Sequence, residues 1–241
     1  MNAAATTSSF PSLPIDKNLP EAERLRLAAD VSAQHFEHLL GFLSYLDSNS
    51  TAMVRRAWQF ADQAHRNQWR SSGDPYITHP IAVAGICATW KRDAQALSAA
   101  LLHYAMEDCG ITKDDLRQQF DETVAELVDG LTKLDKLHFN SREETQAESF
   151  RKMLLAMVGD IRVVLINLAW RTQLMHTLSD CTDATVRQHI AQETLDIFAP
   201  LANRLGVWQL KWELEDLGFR HLEPEAYRKI AKLLEERRLE R

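Results

Sequence analysis

The sequence predicts an all-α fold, and three observations support this prediction. After Pro20, apolar residues recur in nearly every segment with the 3.6-residue period of an amphipathic helix. No segment alternates apolar and polar residues convincingly, as a half-buried strand would. Only 8 glycines and 7 prolines occur in 241 residues, so turns are few and localised. We therefore expect a helical bundle or stack.

The chain divides into a leader and eleven helical segments. Residues 1–19 are rich in Ala, Ser, Thr and Pro and are predicted to form a flexible leader. The pattern predicts helices over residues 21–46, 51–69, 79–91, 93–108, 112–119, 121–137, 143–158, 160–178, 183–203, 207–217 and 224–240. Ser50-Thr51 is expected to cap the second helix, and Asp160 the helix of residues 160–178. Turn-forming residues in 70–75 predict an ordered loop.

Composition and charge exclude several classes of protein. The net charge of −6 argues against a broad nucleic-acid-binding surface, so no direct nucleic-acid partner is expected. Three cysteines without CxxC spacing indicate reduced thiols. The N-terminus lacks the basic and apolar regions of a signal peptide, and the longest apolar run, 163–170, is too short to span a bilayer. We expect a cytoplasmic protein with no membrane partner.

Two histidines lie in segments that are suited to metal chemistry. His79 lies in Tyr76-Ile-Thr-His-Pro80, and the second opens the run His103-Tyr-Ala-Met-Glu107-Asp108. On a helical period, His103 and Glu107 share one face, with Tyr104 and Asp108 beside them. Two imidazoles and an acidic pair are suitable ligands for a divalent metal that activates water. The alternative is that His103 is a hydrogen-bonded histidine of the core.

Longer motifs resemble the hydrolase domain of the RelA/SpoT family of bacterial alarmone enzymes, over roughly residues 50–241. The matching stretches are Arg70-Ser-Ser-Gly-Asp-Pro-Tyr-Ile-Thr-His-Pro80, Ala99-Ala-Leu-Leu-His103, Val124-Ala-Glu-Leu-Val-Asp-Gly-Leu-Thr-Lys-Leu-Asp135, Phe150-Arg-Lys-Met, Met157-Val-Gly-Asp-Ile-Arg162 and Ala199-Pro-Leu-Ala-Asn-Arg-Leu-Gly206. The stretch 209–239 looks most like the RelA branch. The resemblance implies an HD-type hydrolase fold over 20–200 and a helical connector over 201–241, leading to a synthetase domain that is absent here.

The resemblance also implies a Mn²⁺ site in active relatives. Its ligands would be a histidine matching His79, a His-Asp pair matching His103-Tyr104 and an aspartate matching Trp170. A Glu-Asp pair matching Glu107-Asp108 would assist the water that attacks the 3′-pyrophosphate. In this sequence, Tyr104 and Trp170 replace both carboxylate ligands. Because a hard dication requires anionic oxygen ligands, we expect no metal, no other cofactor and no hydrolysis.

The same resemblance implies a guanine-nucleotide pocket, which would be vestigial here. Its residues would match Arg70, Ser71 and Arg171-Thr172, and an asparagine of the family falls at Leu174. Ile166, Trp170 and Leu174 follow an i, i+4, i+8 pattern and form an apolar stripe. We hypothesise that Trp170, Leu174 and Tyr104 fill the former metal and pyrophosphate cavity as a packed plug. The alternative places Trp170 in an ordinary interhelical core.

These observations predict a catalytically degenerate hydrolase-type domain of a RelA-like GTP pyrophosphokinase of the stringent response. Its role would be structural or regulatory for the synthetase domain of the same parent chain. One alternative is a Mn²⁺-dependent guanosine-3′,5′-bis(diphosphate) 3′-pyrophosphohydrolase with a rearranged site of His79, His103, Glu107 and Asp108. Another is a metal-free sensor that binds a guanine nucleotide through Arg70 and Thr172.

Overall fold

A computed structural model describes residues 10–135, 151, 155 and 159–239, and within these ranges the protein is helical with no β-strand. The all-α prediction is therefore confirmed. Before the gap, the helices are α1 Glu21–Leu40, α2 Ser48–Ala64, α3 Thr78–Thr89, α4 Ala94–Leu101, α5 Ala105–Asp108, α6 Lys113–Gln119 and α7 Glu122–Asp135. After it come α8 Ile161–His176, a 3₁₀ turn Leu178–Asp180, α9 Ala184–Glu193, a π turn Thr194–Phe198, α10 Ala199–Arg204, α11 Trp208–Leu222 and α12 Pro224–Leu239. The helix predicted over 143–158 falls almost entirely outside the described residues.

The helix caps confirm one prediction and correct another. The carboxylate of Asp160 accepts a hydrogen bond from the backbone N–H of Arg162 at 2.9 Å, so Asp160 caps α8 as predicted. α2 begins at Ser48, earlier than predicted, because Asp47 adopts an extended backbone conformation and accepts a hydrogen bond from the N–H of Ser50 at 2.7 Å. Ser50 is therefore a donor inside the first turn, and the prediction that Ser50-Thr51 caps α2 is wrong.

Helix α3 lies at the centre of the fold. Residues 78–88 are all buried, and α3 packs against α1, α4 and α8. The sequence of this helix is rich in alanine and has one glycine, which allows neighbouring helices to approach on every side. His79 lies in the first turn of α3 and is therefore carried into the interior.

A break in the chain separates α4 from α5. Leu102 and Tyr104 adopt φ of −96° with ψ near 0°, and the N–H of Ala105 bonds to the carbonyl of Leu102 at 2.9 Å, as in a turn. The prediction of one continuous helix over 93–108 is therefore wrong. The break allows the consecutive residues Leu101, Leu102 and His103 to be buried together.

Residues 184–204 form one helical run that is interrupted by the π turn. The prediction of a helix over 183–203 is confirmed in extent but not in regularity. Pro200 lies in this run; it has no N–H to donate, and its ring crowds the carbonyl four residues earlier. The π turn Thr194–Phe198, which directly precedes α10, widens the helix where this conflict falls.

Both ends of the predicted HD-type segment differ from the sequence expectation. Residues 1–9 of the predicted leader lie outside the described residues, whereas residues 10–15 contact the helical body through Asp74 and α1. The predicted connector begins inside the core, because Leu201, Leu210 and Leu214 are buried in the same cluster as α3 and α8. Helical structure there is as predicted, but residue 200 is not a packing boundary. Among the described helices, none is long and apolar enough to cross a membrane.

Candidate functional site

Helices α3, α4 and α8 bring the two predicted imidazoles into the interior. His79 is 7% exposed and His103 is 2% exposed. His103 and Tyr104 lie in the break after α4, and their rings stack with centroids 4.4 Å apart and planes 12° apart. Side chains of adjacent residues project about 100° apart in a regular helix, so this stacking depends on the break.

The indole of Trp170 lies among the two histidines and Tyr104. Its centroid is 6.4 Å from the ring centroids of His79, His103 and Tyr104. The contacts with both histidines are edge-to-face, at 85° and 71°. Trp170 is partly buried against the hydrophobic core, and Leu174, one turn further along α8, is half-buried. An aromatic cluster therefore occupies the position where the family resemblance implies a metal.

The acidic pair lies at the surface of the protein. Glu107 and Asp108 belong to the four-residue helix α5, and both are exposed. The hydroxyl of Tyr76 donates to Oδ2 of Asp108 at 3.2 Å. Because the chain is not a continuous α-helix between Leu101 and Ala105, the helical period alone does not place His103 and Glu107 on one face, and that expectation stays a prediction.

The electrostatics at His79 favour a neutral imidazole. Burial lowers the pKa of His79 well below its ordinary value, and the charge of Arg70 and the proximity of His103 lower this pKa further. Nδ1 of His79 is buried and has no hydrogen-bond partner among the described residues. A neutral imidazole can serve as a metal ligand, so the charge state does not by itself exclude one. Whether a metal can bind here therefore depends on the oxygen ligands around the imidazole.

The donor set around the imidazoles does not match a divalent-cation site. Within the part of the chain that the structure describes, no group of three or more His, Cys, Asp or Glu side chains is arranged to hold a metal ion. Tyr104 and Trp170 contact the two histidines where a hard cation would require carboxylate oxygens. The residues present therefore do not fit Mn²⁺.

The four residues predicted for a guanine pocket do not face one space. Nη2 of Arg70 donates to Oγ1 of Thr177 at 3.0 Å, and Ser71 is exposed. Arg171 is 5% exposed and forms an ion pair with Glu193 at 2.5 Å. Thr172 is fully buried and donates to the carbonyl of Leu168 in its own helix. The structure does not bring Arg171 and Thr172 together with Arg70.

Three partner residues were not predicted from the sequence. They are Tyr76, which holds Asp108, and Thr177 and Glu193, which hold Arg70 and Arg171. Tyr76 lies within the motif before His79 and could have been singled out there. Nothing in the local sequence identifies Thr177 and Glu193 as partners, because each lies 22 or more positions along the chain from the arginine that it contacts.

Two cavities lie elsewhere on the molecule. One of about 630 Å³ lies between α7 and the start of α8, and one of about 430 Å³ lies between α1 and α2. Neither is lined by His79, His103 or Trp170. The plug hypothesis depends on the ring contacts of Trp170 and stays a prediction.

Comparison with known proteins places the chain in a family. The HD domain family matches residues 57–208. The guanosine-3′,5′-bis(diphosphate) 3′-pyrophosphohydrolase of Vibrio cholerae is 53% identical over 190 residues, which cover 79% of this chain and 27% of that protein. The bifunctional (p)ppGpp synthase/hydrolase SpoT of Escherichia coli is 51% identical, with 79% and 27% covered. The GTP pyrophosphokinase of Myxococcus xanthus is 45% identical, with 78% and 25% covered.

These matches cover most of this chain but only a part of each relative. The chain spans about a quarter of the length of these relatives. Both hydrolases and GTP pyrophosphokinases are among them, so the prediction of the RelA branch stays a prediction. The family itself is shown by the HD match and by identities of 45–53% over most of this chain. The chain belongs to the HD domain family and is a member of its RelA/SpoT group.

Proposed function

We propose that this chain is a catalytically degenerate hydrolase-type domain that acts structurally or by regulation within a RelA-like GTP pyrophosphokinase. The observation that carries the proposal is the position of Trp170, whose indole contacts both imidazoles and Tyr104 at the place of the expected metal. The predicted cytoplasmic location and a role in the stringent response are part of this proposal.

The chemistry of the donors supports the loss of hydrolysis. Mn²⁺ would supply an activated water for attack on the 3′-pyrophosphate, and it prefers charged oxygen ligands for this task. This chain offers two imidazoles, His79 and His103, beside two aromatic rings. Glu107 and Asp108 are exposed, and Asp108 accepts a hydrogen bond from Tyr76. Among the described residues, no group of three or more His, Cys, Asp or Glu side chains is arranged to hold a metal ion.

A synthetase domain in the same polypeptide is the proposed partner. The relatives are about three times as long as this chain, which leaves room for further domains in them. Helices α11 and α12 expose large apolar side chains, namely Trp208, Trp212, Leu233 and Leu234. Exposed apolar surface of this kind is typical of an interface, and it lies on the predicted connector. We expect this surface to contact the synthetase domain.

A metal and activity measurement tests the proposal. The purified protein is assayed for bound manganese and for hydrolysis of guanosine-3′,5′-bis(diphosphate) in the presence of Mn²⁺. We expect neither stoichiometric metal nor turnover. A hydrolase from the same family with both carboxylates, prepared in parallel, should give both signals. Stoichiometric manganese in this chain would overturn the proposal.

The second candidate is a working 3′-pyrophosphohydrolase, which the names of the relatives at 51% and 53% identity favour. Such an enzyme would have to recruit Glu107 or Asp108 of α5 as an oxygen ligand. Substituting Tyr76 with Phe would release Asp108. If hydrolysis exists and depends on Asp108, this substitution should change its rate, whereas the degenerate domain shows no rate to change.

The third candidate is a metal-free nucleotide sensor. Arg70 is the residue that could still bind a phosphate, although Thr172 is fully buried. Calorimetry with guanosine-3′,5′-bis(diphosphate) and with GDP decides this possibility. Heat that disappears on substituting Arg70 with Gln would support the sensor, and no heat at millimolar ligand would dismiss it.

A further inference from the structure

Residues 10–15 form a strap that connects the N-terminal segment to the 70–75 loop. The carboxylate of Asp74 accepts hydrogen bonds from Oγ of Ser12 at 2.7 Å and from the backbone N–H of Leu13 at 2.6 Å. The N–H of Ile15 donates to the carbonyl of Gly73 at 3.1 Å. Asp74 is 5% exposed, so these charge-assisted bonds lie in a nearly dry environment.

Phe10 anchors the other end of the strap on the helices. Its ring stacks on His35 with centroids 5.8 Å apart and meets His38 edge-on at 5.0 Å. Nε2 of His35 lies 3.0 Å from the carbonyl oxygen of Pro11. Phe10 also lies against Gly85 of α3, where a Cβ atom would come within 2.5 Å of the phenyl ring. The ring of Phe10 therefore fits against α3 only because Gly85 has no side chain.

The loop that the strap contacts also sets the position of Arg70. The N–H of Arg70 donates to the carbonyl of Asp74 at 2.9 Å, and the N–H of Gly73 donates to the carbonyl of Arg70 at 3.0 Å. Gly73 has φ of +93°, which is accessible to glycine at little cost and closes this turn. The guanidinium of Arg70 in turn bonds to Thr177 at the end of α8, and its charge reaches His79.

We propose that the strap is a positioning element that locks the 70–75 loop and thereby holds Arg70 against Thr177 at the end of α8. Asp74 is the link, since it bonds to the strap with its side chain and to Arg70 with its backbone. When Phe10 loses its contact with Gly85, the strap releases Asp74, and the loop with Arg70 becomes mobile. This inference goes beyond the proposed function and does not depend on it.

Substituting Gly85 with Ala tests whether the strap holds the 70–75 loop, with a change that lies outside the strap itself. Alanine favours a helix over glycine, so α3 itself is not weakened, but the new methyl group collides with Phe10. We expect amide hydrogen exchange at Leu13, Ile15, Arg70 and Gly73 to become at least about tenfold faster, as expected for the loss of a charge-assisted hydrogen bond. Exchange in α8 should not change.

Substituting Gly130 with Ala provides the matched control. A Cβ at this helical glycine would lie 2.9 Å from Cγ2 of Val163, so the control crowds the core without touching the strap. It should leave exchange at Arg70 and Gly73 unchanged. Equal acceleration in both variants would show a general loosening and would overturn the proposal.

A double substitution completes the test. Phe10→Ala alone should accelerate the same four amides, and adding Gly85→Ala to it should accelerate them no further, because both changes act on one contact. If Gly85→Ala prevents folding, Phe10→Ala carries the same expectation. Additive effects, or faster exchange in the strap with no change at Arg70 and Gly73, would overturn the proposal.

Discussion

Trp170 meets His79 edge-to-face, with ring centroids 6.4 Å apart and ring planes at 85°. The same indole is equally far from His103 and Tyr104, so one side chain contacts three rings of the candidate site. The chain packs these groups around an indole. The proposed degenerate site therefore predicts effects on stability, pH response and metal binding.

Replacing Trp170 with Ala should destabilise the fold by about 2 kcal/mol. The estimate lies below the value of about 3–5 kcal/mol for fully buried tryptophans, because Trp170 is only partly buried. Trp212, which is 63% exposed, is the matched control, and Trp212→Ala should change the free energy of unfolding by less than about 0.5 kcal/mol. Urea denaturation measures both. Equal losses would show that Trp170 does not act as a plug.

Restoring both carboxylates should restore metal binding. In the variant Tyr104→Asp with Trp170→Asp, manganese should raise the Tm by about 5 °C, as expected for a ligand well above its Kd. The variant Tyr104→Asn with Trp170→Asn has side chains of the same size without charge and should show no rise. Comparing each variant with and without metal removes the effect of the lost packing. A rise in the unsubstituted protein would contradict the prediction.

Stability should fall as the pH drops below the ordinary histidine pKa of 6.5. Because burial lowers the pKa of His79 in the folded protein, the unfolded chain binds more protons than the folded one in this range, and acid favours unfolding. Each such histidine contributes a slope of up to about 1.4 kcal/mol per pH unit. His79→Gln should reduce the slope of the free energy of unfolding between about pH 6.5 and pH 5. His65 should maintain part of this slope, because burial lowers its pKa as well.

Neutralising the carboxylate beside a buried arginine should be costly. Glu193→Gln removes the negative charge that pairs with Arg171, which is 5% exposed, and we expect a loss of about 3 kcal/mol. Glu215→Gln removes the half-exposed pair with Lys211 and should cost less than about 0.5 kcal/mol. Thermal denaturation compares the two. Similar losses would mean that Arg171 is held by its contact with Phe198 instead.

The sequence was sufficient for the all-α class, the Asp160 cap and the identity of His79, His103, Tyr104 and Trp170 as neighbours. Those features depend on local periodicity, on capping chemistry and on long matching motifs. The break after Leu101 could not be predicted, because no glycine or proline marks it between Leu101 and Ala105.

Long-range pairing accounts for the other differences. Asp47 and Ser50 are both good capping residues, and only the direction from which the chain enters α2 decides between them. Arg171 comes directly after Trp170 in sequence and lies 5.5 Å from the centroid of its ring, but its ion pair is with the distant Glu193 and its shorter ring contact is with Phe198, at 3.9 Å. The strap likewise joins residues more than 60 positions apart. Local sequence carries no information on such contacts.

The π turn Thr194–Phe198 has a geometric consequence for the helices C-terminal to it. Such a turn accommodates one residue more than an α-helix would over the same length. If the same residues formed a regular α-helix instead, the subsequent segments would be rotated by about 100° around the helix axis. Leu201 and Leu210, now buried, would swing out of phase with α8. The irregularity thus sets the angular phase of the C-terminal helices.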